Sequence, residues 1–244
     1  MKLLATVLSL LLLSPLLFGQ EPDMVRFDPA SMDLPAKYKS VKPFLIEKTE
    51  VTEGALILYR QSTRFKKVPN YQAHFPKNKQ LPANLVDWFE AAAVCEFHGK
   101  RLPTLAEWNI AAGVNRTYPW GEAPLDGKNA NVCDKSCKAP WALWRHGDGY
   151  ERVAPIGSYP AGATPEGLLD MAGNLWEWTS TRVDGRTLKL LGKDQPREDF
   201  MDEVVIKGGS YGSHPDQMKN AGFAKSPTNF KASHVGFRCV KEVK

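Results

Sequence analysis

The spacing of apolar residues changes character several times along the chain, and each change predicts an element. Met1-Lys2 opens an apolar run from Leu3 to Phe18 interrupted only by small or weakly polar residues, and polar Gly19-Gln20-Glu21 follows. One positive charge, a short apolar stretch broken by Pro15 and a polar exit form the layout of a secretory signal peptide, with cleavage expected near Gly19 or Gln20. The run is short for a membrane span and lacks the basic flank of a stop-transfer segment. Phe44 to Thr52 is β-branched and alternates at its end, which predicts a strand, and Glu53 to Tyr59 turns helical behind Thr52. Gln61 to Pro82 is polar, basic and irregular, an expected exposed loop.

From Leu85 to Phe97 the residues Trp88, Ala91, Ala92, Val94, Cys95 and Phe97 fall on helical spacing, and Gly99 supplies the stop. Thr104-Leu-Ala-Glu107 after Pro103 is a capping box, predicting a second helix from Leu105 to Ala112 that ends at Gly113. Helical periodicity then disappears. The segment from Tyr118 to Arg182 is rich in Gly, Pro, Asn, Asp and Trp, and without repeating backbone ladders its order calls for disulfides or metal ions. Val204 to Tyr211 and Val235 to Val240 predict two further short strands, and no internal repeat is evident. These elements divide the chain into a signal peptide over 1–20, an N-terminal segment over 21–43 and a domain over 44–244.

Composition narrows the class. An apolar fraction of 43% is ordinary for a globular protein with a sizeable core. The formal charge of +5 is spread along the chain and says little about partners, and no dense basic run carries interleaved aromatics. Nucleic-acid binding therefore has no support. The four cysteines, Cys95, Cys133, Cys137 and Cys239, read as disulfides in an exported chain. Three pairings are possible; Cys133 and Cys137 could close a small loop and leave Cys95 to reach Cys239. A zinc site would need two more ligands, and His146 is the only nearby candidate. Asn115-Arg-Thr117 is a glycosylation sequon.

Most catalytic signatures are absent. No Gly-x-Ser-x-Gly elbow, Rossmann fingerprint or P-loop appears. His74, His98, His146 and His234 show no HxH or HxxxH spacing that would suggest a histidine-based iron centre.

Several motifs together resemble one family. Leu85-Val-Asp-Trp88 through Cys95, Gly99-Lys-Arg-Leu-Pro-Thr104 with Glu107-Trp108, Tyr118-Pro-Trp-Gly121, Asn129-Ala-Asn131, Pro155-Ile-Gly-Ser158, Gly167 to Trp178, Lys207-Gly-Gly-Ser210 and Gly236-Phe-Arg238 follow in the order found in the formylglycine-generating enzyme or sulfatase-modifying factor family. The likeness runs from about Phe44 to Val240. It implies an α+β, complex C-type-lectin-like fold with low regular secondary structure, short antiparallel strands and two principal helices. It also implies a disulfide between Cys95 and Cys239.

The resemblance further implies two structural calcium ions. One would take the side chains of Asp170 and Glu177 with the carbonyls of Gly173 and Leu175. The other would take the side chains of Asn131 and Asp148 with the carbonyls of Val132 and Tyr150. Calcium accepts six to eight hard oxygens, backbone carbonyls included, and every one of these positions can supply one. The alternative is local: Asp170 capping a turn, Glu177 pairing with Arg182 or Arg238, and Asn131 bracing a loop.

The family's oxidation of cysteine to formylglycine uses copper(I) between two thiolates that lie just after Gly-Gly-Ser-Tyr, five residues apart. Here Ser213 and Met218 stand at those positions, and neither is a thiolate. Copper is accordingly not an expected cofactor, although His214 beside Met218 offers donors that copper accepts. Two functions follow from this. The first is a non-catalytic, calcium-braced module that binds a peptide or protein partner in a groove containing Trp176, Ser210, Tyr211, Ser213, His214 and Met218. The second is an oxidative metalloenzyme of different chemistry, which requires His214, Met218 and a third donor to converge.

Overall fold

In the computed structural model, which describes residues 23–62, 78–143, 147–190 and 202–243, the first and last described strands lie in one sheet. Strand β1 (Met24–Phe27) pairs antiparallel with β2 (Phe44–Glu47), and β2 pairs antiparallel with β7 (Val240–Glu242). Met24–Phe27 thus belongs to the same sheet as the strand beginning at Phe44, so the described residues of the 21–43 segment pack against the strand and the core that follow. The short helix α1 (Ala36–Lys39) lies between β1 and β2. The apolar run expected as a signal peptide, most of the 61–82 loop, His74 and His146 fall outside the described residues.

Three longer helices follow the sequence pattern. Helix α2 (Glu53–Ser62) leads into α3 (Trp88–Phe97), which starts where Asp87 accepts the Glu90 N–H at 2.8 Å. Gly99 at φ 68° takes the left-handed turn that stops α3, a conformation a Cβ would disfavour. Helix α4 (Leu105–Ala112) carries the full capping box: Thr104 Oγ1 accepts from Glu107 N at 3.2 Å, and Glu107 Oε2 accepts from Thr104 N at 2.8 Å. Removing that cap by Thr104→Ala is expected to lower stability by about 1–2 kcal/mol in urea unfolding, and Thr104→Ser is expected to retain most of it.

A second sheet of four strands has the order β5-β4-β3-β6, with β3 (Trp176–Arg182), β4 (Glu203–Lys207), β5 (Ala224–Pro227) and β6 (Val235–Gly236). Its pairs are antiparallel except β3 with β6, which run parallel. Strand β3 corrects the expectation that Tyr118 to Arg182 lacks ladders throughout. All of Trp176 to Thr181 is buried, so both faces of the strand are covered and the alternation that marks a one-sided strand is missing.

Tryptophans connect the elements to the core. Trp88 on α3 donates Nε1–H to the Thr179 carbonyl at 2.9 Å, and Trp178 on β3 donates to the Val86 carbonyl at 3.2 Å. Both belong to one apolar cluster with Cys95 and Cys239. Those two cysteines form a disulfide with Cα atoms 5.7 Å apart, and Cys133 forms the other with Cys137. A second cluster gathers Trp108, Phe27, Phe44 and Leu168 under the first sheet.

Candidate functional site

The chain between Asp170 and Asn174 coils tightly because three of its residues adopt the left-handed region: Asp170 and Asn174 at φ 57° and Gly173 at 78°. Asp and Asn tolerate that conformation better than other residues with a side chain. Gly173 has a second constraint, since a Cβ there would lie 2.1 Å from the Asn131 carbonyl oxygen. Asn174 cross-links the site. Its Oδ1 accepts from Asn131 Nδ2 and from Ala154 N, both at 2.9 Å, and its Nδ2 donates to Glu50 Oε2 at 2.9 Å. Glu50 Oε1 also accepts from Leu175 N at 3.2 Å.

Three buried carboxylates collect around this coil. Asp170 Oδ2 accepts the Gly157 N–H at 2.6 Å, while Glu177 accepts Nε–H from Arg238 at 2.8–2.9 Å and Nε1–H from Trp108 at 2.8 Å. Glu50, Asp170 and Glu177 have 2%, 6% and 0% of their surface exposed, and Arg238 is the single guanidinium among them. Burial, reinforced by the Asp170 and Glu177 charges, pushes the Glu50 carboxyl well above its ordinary value. Burial likewise raises Asp170 to about 6, against the opposing Gly157 N–H and Arg238 charge. Three acids against one base leave an excess of negative charge, which a proton or a cation can offset.

A second oxygen cluster lies next to it. Asp148 Oδ2 accepts from Val132 N and Oδ1 from Tyr150 N, each at 2.8 Å, so one carboxylate spans both peptide segments. Burial raises the Asp148 carboxyl. Asp134 Oδ2 accepts from Asp148 N at 3.1 Å and ties the Cys133–Cys137 loop to the same place. Asn131 donates Nδ2–H to the Arg152 carbonyl at 2.7 Å, yet its buried Oδ1 has no hydrogen-bond donor. An orphaned buried acceptor at this point fits a bound cation or water. Among the described residues no group of three or more His, Cys, Asp or Glu side chains is arranged to hold a metal. A cation at either cluster would therefore depend on amide and carbonyl oxygens, which suits a hard ion such as calcium.

Sequence reasoning brought Asp170, Gly173, Leu175 and Glu177 together, and Asn131, Val132, Asp148 and Tyr150, and the fold places each set on adjoining segments. It missed Glu50 and Asn174 as parts of the site. Glu50 stands among Glu47, Lys48 and Thr49, so nothing local in the sequence marks it.

The groove residues behave differently. Trp176 is 5% exposed and packs in the first core cluster, so it does not line an open groove as expected. Ser213 turns inward, where its Oγ accepts from Ser210 N at 2.9 Å and lies 3.1 Å from Ser210 Oγ. Met218 is 1% exposed and packs against Ala130, Val132 and Ala172. His214 is exposed instead; its Nδ1 accepts from Asp216 N at 3.2 Å as it caps the 3₁₀ turn Pro215–Met218. His214 and Met218 thus face different surroundings and do not converge. Tyr211 lies with its hydroxyl 3.3 Å from Ser233 Oγ. All four cysteines are bonded in pairs, which leaves no thiolate.

Lys207, opposite Glu177 in the β3–β4 register, is also buried. Its Nζ donates to the Asn220 and Gly222 carbonyls at 2.7 and 2.5 Å and lies 5.0 Å from the centre of the Trp108 ring. Burial lowers its ammonium to about 8. The unfolded chain then holds more protons than the folded one between pH 8 and the ordinary lysine value, so this group's contribution to stability rises with pH across that window. The stability of the native protein relative to a Lys207→Met variant is expected to increase from pH 7 to pH 10 in matched urea titrations.

Residues 15–243 match the model of the sulfatase-modifying factor enzyme 1-like domain. The formylglycine-generating enzyme of Mycobacterium tuberculosis is 32% identical over 178 residues, covering 66% of this chain and 57% of that protein. An inactive C-alpha-formylglycine-generating enzyme 2 from Bos taurus is 30% identical over 169 residues, 66% of this chain and 50% of that one. Hercynine oxygenase of Mycolicibacterium smegmatis is 39% identical over 106 residues, 41% of this chain and 22% of that one. The chain therefore spans about half or less of the length of these relatives. The fold also matches PvdO from Pseudomonas aeruginosa, with a TM-score of 0.59, 22% identity and coverage of 83% of this chain and 81% of that one. The motifs and the fold thus agree, and the chain belongs to the sulfatase-modifying factor enzyme 1-like domain family.

Proposed function

We propose that the protein is an exported, calcium-braced binding or assembly module of this family, without formylglycine-generating activity. The observation that carries the reading is the fate of the two positions where copper thiolates are expected. Ser213 is committed to the Ser210 turn and Met218 to the core, while every cysteine is consumed in a disulfide. Copper(I) oxidation of a substrate cysteine requires soft anionic sulfur that this chain does not present. A relative described as inactive supports a role for the scaffold without the chemistry. Two disulfides suit an oxidising compartment, and among the described residues no helix is long and apolar enough to cross a membrane.

Calcium would be held at Asp170, Gly173, Leu175 and Glu177, and at Asn131, Val132, Asp148 and Tyr150. The excess carboxylate charge beside Arg238 and the orphaned Asn131 Oδ1 support the two sites. The ions would brace loops that have no ladder of their own, leaving the exposed residues around Tyr211 and His214 to contact a peptide or protein.

Elemental analysis of the oxidised protein, before and after dialysis against a weak chelator, tests the reading. About two calcium ions per chain are expected, with Asp148→Asn and Asp170→Asn each losing one. Incubation with copper(I), oxygen and a cysteine-containing peptide is expected to yield no aldehyde. Calcium-free protein of unchanged stability would sink the bracing role, and aldehyde formation would sink the non-catalytic one. The hercynine oxygenase likeness raises a second reading, an oxidase of other chemistry. It requires a stoichiometric redox metal in the same elemental count.

A further inference from the structure

A cavity of about 500 Å³ lies between α4 and the four-stranded sheet, and it shares no lining residue with the oxygen clusters or with the 210–218 turn. The register of the sheet determines its wall. Val205 and Lys207 stand two apart on β4 and so project from the same face. Lys225 is the antiparallel partner of Val205 on β5, which sets its side chain on that face as well. Phe223, just before β5, and Val183, just after β3, complete an apolar mouth; they are 55% and 40% exposed.

Charge in this cavity is one-sided. Among the described residues no carboxylate lines it. Arg116 is held by Glu166 at 3.1 Å, but Lys207 has only carbonyl partners and Lys225, at the mouth, forms no ion pair among the described residues. On the helix side, Asn109 Oδ1, Arg116 Nε and Asn220 Oδ1 belong to lining residues and are buried without a hydrogen-bond partner. Unsatisfied buried polar atoms are rare in native proteins, and their concentration beside a cavity marks a wall that a bound molecule or its waters would complete. The volume is in the range of small-molecule sites, and the combination of apolar surface with a few convergent polar groups is typical of them.

We propose that this cavity binds a small apolar carboxylic acid. Its carboxylate lies against Lys225 with the Lys207 charge behind it, and its hydrocarbon body rests on Val183, Val205 and Phe223. This site is independent of the calcium and partner-binding reading, and neither stands or falls with the other.

Calorimetric titration of the full, oxidised, calcium-equilibrated protein with 3-phenylpropionate and with octanoate tests the site, using 3-phenylpropanamide as the uncharged control. Saturable binding of both acids is expected, with the amide about tenfold weaker. Lys225→Gln is expected to weaken the acids about tenfold and leave the amide unchanged, and Phe223→Ser is expected to weaken all three. Both side chains are exposed, so thermal melts should confirm that the variants fold. Absence of saturable binding by either acid, equal affinity for acid and amide, or variants that bind as the native protein does would each overturn the proposal.

Discussion

Replacing Arg238 by Met is expected to be the most damaging single substitution in the chain, lowering stability by about 3–5 kcal/mol. Arg238 is fully buried and uses its guanidinium throughout. Nε and Nη2 bind Glu177, Nη2 also donates to the Leu169 carbonyl at 2.9 Å, and Nη1 donates to the Glu47 and Lys48 carbonyls at 3.1 and 3.2 Å. Burial alone would weaken the cation; the Glu177, Glu50 and Asp170 charges outweigh it and raise its affinity for the proton. Methionine fills a similar volume but leaves three buried acids without a counter-ion and removes a donor from the Glu47, Lys48 and Leu169 carbonyls, of which Lys48 keeps the Leu169 N–H.

The argument concerns charge more than packing, so a second variant separates the two. Glu177→Gln in the Arg238→Met background removes one of the stranded acids and is expected to recover part of the loss in guanidinium or urea unfolding, since the cost of breaking a buried pair lies largely in the partner left behind. If the double variant is less stable than Arg238→Met by the full cost of Glu177→Gln alone, the two side chains are not coupled and the account fails. Added calcium is expected to stabilise Arg238→Met more than the native protein, because a cation at the carboxylates would replace the lost charge.

The same cluster shows what the sequence made legible. The capping box at Thr104, the glycine stop after α3 and the helical spacing around Trp88 are local signals, and local signals translated directly into α3 and α4. Strand β3 did not announce itself, because WEWTSTR is buried on both faces and carries no alternation. Strand β1 was hidden for another reason: four residues gain their strand character only by pairing with β2. Within the site, the motif context located Asp170 and Glu177 but not Glu50, which joins them from about 120 residues upstream through Asn174 and the Leu175 N–H. The groove that the family resemblance implies includes Trp176, whereas long-range packing buries this side chain in the first core cluster. Long-range contacts, not local propensity, settle all of these.

The second large effect is expected from the Cys95–Cys239 disulfide. The bond spans 144 residues and joins α3 to the end of the chain, where Cys239 N also donates to Glu47 Oε2 at 2.8 Å. On the chain-entropy account a closure of that length restricts the unfolded state enough to contribute about 5 kcal/mol, whereas the four-residue separation of Cys133 and Cys137 contributes about 2 kcal/mol. A Cys95→Ala, Cys239→Ala protein is therefore expected to lose about 3 kcal/mol more stability than a Cys133→Ala, Cys137→Ala protein; alanine is the better probe because a serine would bury an unsatisfied hydroxyl. Accessibility predicts the order of reduction as well. Cys95 and Cys239 are 0% and 1% exposed while Cys137 is partly exposed, so mild thiol should open one bond in the folded protein and the other only on unfolding. Mass spectrometry after alkylation reads that order. Preferential loss of the long-range bond in folded protein would mean that the C-terminal strand detaches from α3 more readily than its buried disulfide and the Arg238 pair allow.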